Sequence, residues 1–250
     1  MKNRLLTDAE LRAHWHRTRD RRCVVPPGTM LTPAARDFIR ENGIELVEGG
    51  GSMTRVPVPT RDGRPLFVNA ETGETLDRKP EDMTHLSGNR LVSKLHPRIA
   101  FRGRLDALCA QILCLQAEAD GAGQLALSEA LGEVLDRVRQ ILGAEVREAP
   151  LADAALLGMS DEALRRASHN VRESCGIDHP IPDRRMGRLA LGVNLLRTQV
   201  REAELSALAA FAGADGVCTR QDIVKALNRL SSAVYLIFCR LLSGRLDRER

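Results

Sequence analysis

The sequence predicts a mainly α protein: a five-helix bundle over residues 83–250, preceded by a small α/β appendage at 1–50 and a linker at 51–82. Three observations carry that prediction. Much of the C-terminal two thirds consists of long stretches in which apolar residues recur at the 3.6-residue period that gathers them on one helix face. Most connections between those stretches are short, so neighbouring helices must pack on one another. Aromatic residues make up only 3% of the 250, which leaves Leu, Val, Ile and Ala to fill the core, as in helical bundles.

Taken in order, residues 6–19 carry a modest helical pattern. His14 and His16 lie two apart, which on a helix turns them to different faces, so no shared metal site is expected. A short strand near Cys23, a turn at Pro26 to Gly28, a helix and a second strand from Ile44 to Val47 then compose the α/β appendage. Thr32 caps its helix, Pro33 takes the first position and Gly43 ends it. Residues 49–82 are rich in Gly, Pro and charge and predict a linker with one ordered turn, a hairpin near Thr72 and Gly73. Leu105, Leu108, Ile112 and Leu115 mark the first bundle helix, which runs to about residue 120 and is broken by Gly121 and Gly123. Leu127, Leu131, Val134, Val138 and Ile141 mark the second. Ser160, with Asp161 and Glu162 behind it, caps a third that ends near Gly176. A fourth spans 189–211 with Leu189, Val193, Leu196, Val200 and Ala203 as its core stripe. The fifth spans 219–242, started by Thr219 and Asp222 as a variant capping box, with Ile223, Leu227, Leu230, Val234 and Ile237 buried.

Composition narrows the function. With 37 basic and 33 acidic residues interspersed, the net charge of +4 makes no field suited to nucleic acid or anionic lipid. No apolar run approaches the ~18 residues of a bilayer span, and the N-terminal residues lack the apolar core of a signal peptide, so a cytoplasmic location is expected. Six scattered cysteines without CxxC or zinc-finger spacing read as reduced thiols. No Ser-His-Asp, Cys-His or paired-carboxylate arrangement is evident.

Polar residues beside the buried stripes are the candidates for function. Asn228, Ser232 and Tyr235, spaced by four and three, share one flank of the fifth helix, either as satisfied polar groups between helices or as a site. On the fourth helix Arg197, Arg201 and Glu204 share a flank. Two arginines at i, i+4 repel by a few tenths of a kcal/mol unless an anion lies between them, and a polyphosphate would make that pair a site. The plainer alternative is an Arg201 to Glu204 surface bridge. Likewise Arg102 and Asp106 make either an ordinary i, i+4 pair or part of a binding segment.

Three segments resemble the corrinoid adenosyltransferases, especially their ethanolamine-utilisation branch. ALNRLSSAVYLIFCR is similar to that family's C-terminal signature, and LLRTQVREAE resembles its Arg-Thr-x-x-Arg-x-Ala-Glu motif, although Leu205 stands where the broader superfamily has another Arg. RLVSKLHPRIAFRGRLDAL is similar to the segment leading from the ATP phosphate loop into the first bundle helix, with Lys94, Pro97, Arg98, Gly103 and Asp106 in the family's order. The superfamily's Thr-rich loop is replaced here by Thr84, His85, Leu86, Ser87 and Gly88. GIDHPIPDRRMGR resembles a loop that lies against the corrinoid; by itself Asp178 and His179 also read as a polar turn before Pro180.

The resemblance implies a bundle of the cobalamin adenosyltransferase type that moves the 5′-deoxyadenosyl group of ATP onto reduced cobalt, with ATP, Mg²⁺ and cobalamin as its small molecules. It assigns Arg201, Arg197 and Lys94 to the triphosphate, Asn228 and Arg229 to the nucleotide, and Asp106 and Glu204 to orienting the basic groups. Asp178, His179, Ile181, Pro182 and Phe211 fall to the corrinoid. Relatives of the ethanolamine type often carry a His and a Cys-Cys-x-x-Cys cluster that binds a divalent metal. No cysteine lies between Cys23 and Cys109 here, so no protein-bound metal is expected. A homo-oligomer is implied, a trimer or alternatively a dimer, with a microcompartment or ethanolamine ammonia-lyase as an associated partner. The competing class is a non-catalytic helical B12 carrier or microcompartment adaptor.

Overall fold

The computed structural model describes residues 5–6, 11, 22–25, 29–48, 60–61, 64–213 and 216–246, in two compact units, 1–60 and 61–250. In the first unit β1 (Leu5–Leu6) pairs in parallel with β3 (Met30–Leu31), and β2 (Arg22–Val25) with β4 (Glu45–Glu48). Helix α1 (Pro33–Asn42) lies between β3 and β4 in the chain. Thr32 accepts the Ala35 N–H at 3.2 Å, and Gly43, at φ 60°, returns its N–H to Ile39. The expected strand, helix and strand are thus present. Leu5 and Leu6 are strand where a helix was expected from residue 6. Most of that segment, with His14 and His16, and the turn at Pro26 to Gly28 lie outside the described residues.

The second unit opens with a four-stranded sheet. After β5 (Thr60–Arg61) and β6 (Arg64–Pro65) come β7 (Phe67–Asn69), β8 (Thr75–Leu76), β9 (Met83–Ser87) and β10 (Arg90–Ser93), the last four ordered β8-β7-β10-β9. The hairpin near Thr72 forms as expected: Asn69 Oδ1 accepts the N–H groups of Glu71 at 3.0 Å and Thr72 at 3.3 Å. Strands β7 and β8 fall within the expected linker, and in place of the expected phosphate loop Thr84 to Ser87 are strand and Gly88, at φ 55°, starts the turn into β10. Only Leu86, Leu91 and Val92 of the β9–β10 hairpin are buried, too few apolar positions to make an alternating pattern visible.

Six helices follow: α2 (Pro97–Gly121), α3 (Leu125–Val146), α4 (Asp161–His169), α5 (Val171–Cys175), α6 (Gly187–Ala210) and α7 (Gln221–Ser243), with a 3₁₀ turn at Arg184–Met186. The fold is therefore mainly helical, with a small sheet. The expected stripes of α2, α3 and α7 are buried in one core with Val193, Leu196, Val200 and Ala203 of α6. Where α2 meets α6, a Cβ on Gly192 would collide with the end of the Leu115 side chain, so the glycine leaves room for that leucine.

Two helix ends correct the sequence reading. The third expected helix is two, α4 and α5, because Asn170 leaves helical geometry at φ −110°, ψ 58°. Thr219 does not cap the last helix, which begins at Gln221. Its hydroxyl donates to the Phe211 carbonyl at 3.1 Å, while Asp222 accepts the Leu151 N–H and pairs with Arg220. Both residues are spent on anchoring neighbouring loops, which local spacing does not reveal. Among the described residues no helix is long and apolar enough to cross a membrane.

Candidate functional site

A cavity of about 320 Å³ opens where the end of α4, the loop after α5, and the flanks of α6 and α7 meet. Helix α6 contributes Arg197 and Arg201, one turn apart, and α7 contributes Ser231, Ser232 and Tyr235. Ser168 and His169 come from the end of α4 and His179 from the loop. Every lining residue carries an N–H or O–H donor and none is a carboxylate.

The α6 arginines differ in their partners. Arg197 donates from Nε to Asn194 at 3.2 Å, and its guanidinium lies 5.8 Å over the Tyr235 ring. Arg201 is exposed and has no hydrogen-bond or ion-pair partner among the described residues. The Arg201 to Glu204 bridge is not formed. Glu204 instead accepts from Asn228 Nδ2 at 3.2 Å, while Arg229 donates to Asn228 Oδ1 at 2.9 Å. This pins both ends of the Asn228 amide. Ser231 and Ser232 donate to the Asn228 carbonyl at 2.9 and 3.2 Å. Arg229 Nε stands 3.9 Å from Asp161, whose carboxylate also takes Lys225 at 2.9 Å.

Tyr235 joins the two sides of the cavity, its hydroxyl lying 2.7 Å from His179 Nδ1. Burial pushes the phenol up to about 12, and the hydrogen-bonded Cys239 thiol beneath it up to about 11. Both stay protonated in ordinary solution, so Tyr235 is a neutral hydrogen-bond donor and acceptor here.

Of the residues picked out from sequence, Arg197, Arg201 and His179 line the cavity, and Asn228, Glu204 and Arg229 stand in the adjoining network. Asp178 is exposed and 3.7 Å from Arg172, and Ile181 is 85% exposed with Pro182 beside it, so the loop presents an open face. Three residues are not brought to the cavity. Phe211 is buried, edge-on to Phe101 and beneath Arg98 and Arg220, which removes it as a wall for a corrinoid. Lys94 is exposed at the end of β10, and Asp106 lies on the exposed face of α2.

The expected Arg102 to Asp106 pair is also replaced. Arg102 and Arg98 both grip Glu145 of α3, which is fully buried, at 2.5 and 2.6 Å, and Arg102 donates onward to the Leu86 carbonyl at 2.8 Å. The signal was present, since 98 and 102 are arginines at i, i+4 and imply an anion between them as 197 and 201 do. No comparable pattern marks Ser168 and His169. Among the described residues no group of three His, Cys, Asp or Glu could hold a metal ion.

Comparison with known proteins agrees with the motifs. The model of the cobalamin adenosyltransferase family matches residues 75–241. The corrinoid adenosyltransferase EutT of Escherichia coli K12 is 33% identical over 244 residues, 93% of this chain and 90% of that protein. The EutT of Salmonella typhimurium LT2 is 31% identical over 247 residues, 94% and 91% of the two chains. No solved structure matches.

Proposed function

Since this chain belongs to the cobalamin adenosyltransferase family and is an ATP:corrinoid adenosyltransferase of the ethanolamine-utilisation type, we propose that the cavity between α6 and α7 receives the triphosphate of ATP. The observation that carries this is Arg201, a cation without a partner among the described residues, one turn from Arg197 in a cavity lined by no carboxylate. Like charges so placed are favourable only with an anion between them.

The chemistry asks little else of the side chains. Reduced cobalt of the corrinoid attacks the ribose 5′ carbon, the C–O bond to triphosphate breaks, and the nucleophile belongs to the substrate, so no general base is required. The protein must hold the 5′ carbon in line with cobalt and neutralise the leaving triphosphate. Arg197 and Arg201 do the second, with Mg²⁺ carried by the nucleotide. Asn228, fixed by Glu204 and Arg229, positions the nucleoside, and the loop carrying Asp178, Ile181 and Pro182 lies against the corrinoid. Product serves ethanolamine ammonia-lyase, within or beside a microcompartment.

Lys94 and Asp106 belong to a site completed by a second copy, a trimer in preference to a dimer, with one copy's β10–α2 junction facing another's α6–α7 flank. Residues 83–250 supply the proposed site, in a five-helix bundle if α4 and α5 count as one interrupted helix, within the compact unit 61–250. Anaerobic incubation with cob(I)alamin and ATP, followed by absorbance, tests the function: adenosylcobalamin and triphosphate are expected in equal amounts. A carrier or adaptor would bind corrinoid without turnover and gain no thermal stability from ATP.

A further inference from the structure

The contact between His179 and Tyr235 carries information beyond proximity. Their ring planes are 9° from parallel with centroids 6.0 Å apart, values that also fit stacked rings. Stacked rings, however, keep their atoms about 3.5 Å apart, whereas His179 Nδ1 and the Tyr235 oxygen are separated by 2.7 Å. The two rings must therefore meet edge to edge in nearly one plane, joined by an in-plane hydrogen bond.

The direction of that bond follows from the available acceptors. Tyr235 contacts the His179 ring and the Cys239 thiol. An imidazole lone pair is a strong acceptor and a thiol sulfur a weak one. The phenol O–H thus points to Nδ1, and the thiol S–H is left to donate to the phenol oxygen. A neutral imidazole that accepts at Nδ1 carries its proton on Nε2.

The geometry points to a positioning role for Tyr235: it locks His179 in the Nε2–H tautomer, so that His179 adds an N–H donor to the anion pocket of Arg197 and Arg201. This rests on the triphosphate reading above, and it takes His179 away from the corrinoid, since a protonated Nε2 has no lone pair for cobalt. Tyr235 is suited to the task because α7 holds its ring beneath the Arg197 guanidinium while its hydroxyl reaches the loop. His179, on an exposed loop, makes no other side-chain hydrogen bond among the described residues.

The test is calorimetric titration of the full-length protein with inorganic tripolyphosphate, free of nucleotide and corrinoid. Tyr235→Phe and His179→Ala should each weaken binding about tenfold, the scale of one charge-assisted hydrogen bond. The double variant should be no weaker than His179→Ala, because Tyr235 acts on the pocket only through His179. His179→Gln, which keeps an N–H, should recover part of the loss. In ¹⁵N NMR above pH ~8, where an ordinary imidazole is neutral, His179 should show an unprotonated Nδ1, and Tyr235→Phe should release that preference.

Additive losses in the double variant, or a protonated Nδ1 in the unsubstituted protein, would overturn the tautomer lock. Binding abolished by Arg201→Ala but untouched by Tyr235→Phe and His179→Ala would overturn it while leaving the triphosphate pocket in place. No binding by the unsubstituted protein would overturn the pocket as well.

Discussion

Arg201 is the residue on which the proposed chemistry depends most and the fold least. It is exposed and bridges nothing among the described residues, so Arg201→Ala should leave the helical circular dichroism and the melting temperature unchanged. Turnover should fall about a hundredfold or more, because an electrostatic contact to charge developing on the leaving group is worth ~3 kcal/mol. Activity within threefold of the unsubstituted protein would sink the assignment. Glu145 is the opposite case. Its carboxylate is fully buried between two guanidinium partners, and Glu145→Ala should cost about 3 kcal/mol in denaturant unfolding by removing the anion that Arg98 and Arg102 share. A loss under 1 kcal/mol would show the clamp to be unimportant. Sequence made one arginine pair conspicuous through a family motif. The other, 98 and 102, obeys the same like-charge rule, but its anion lies 43 residues or more away along the chain.

At the scale of elements, the start of α7 shows why helix bodies were legible and their ends were not. Burial patterns repeat every turn and announce a helix, whereas a cap depends on what one side chain meets in space. Asp222 had the right spacing for a capping box with Thr219, yet it holds the Leu151 N–H at 2.8 Å and Arg220. Burial pushes its carboxyl up, but Arg220 and the Leu151 N–H together outweigh burial and hold it below the usual carboxylate range. The sign follows: Asp222 contributes its full stability above the unfolded value of about 3.9, and that contribution is lost as pH falls through the depressed folded value. Asp222→Asn should therefore lower stability by about 1 kcal/mol near neutrality, with the gap from the unsubstituted protein closing in acid. Parallel acid titrations of the melting temperature check this, and a gap constant with pH would contradict it. The β9–β10 hairpin was illegible for the complementary reason: three buried residues cannot display an alternation.

For the whole molecule, the division between residues 1–60 and 61–250 raises the question of what one chain can do alone. The α6–α7 cavity and the β10–α2 junction carrying Lys94 are not joined within it. Mixing inactive Lys94→Ala and Arg201→Ala proteins should restore activity if sites are shared between copies, since some interfaces then carry neither lesion. Verified mixed oligomers that stay inactive, or an active monomer on sizing, would refute the shared site. Metal content tests the expectation, drawn from the lack of a cysteine between Cys23 and Cys109, that the protein binds no metal of its own. Active protein should contain no stoichiometric zinc, iron or cobalt of its own, checked by elemental analysis before corrinoid is added. The bundle was legible because apolar periodicity survives at this scale. Whether copies assemble was not, because exposed apolar side chains such as Leu195, Leu205 and Leu208 of α6 make no regular stripe along the chain.

Cys109, Cys114, Cys175, Cys218 and Cys239 are free thiols, and the last three are buried as small apolar groups. Cobalt must be driven to its lowest working oxidation state before it can attack ATP, and any reductant strong enough for that would also open protein disulfides. A fold stapled by such bonds would be dismantled by the conditions its own reaction demands. Here cohesion comes from close-packed aliphatic side chains and a buried guanidinium–carboxylate clamp, neither of which exchanges electrons. The scaffold is thus indifferent to the potential at which its substrate becomes reactive.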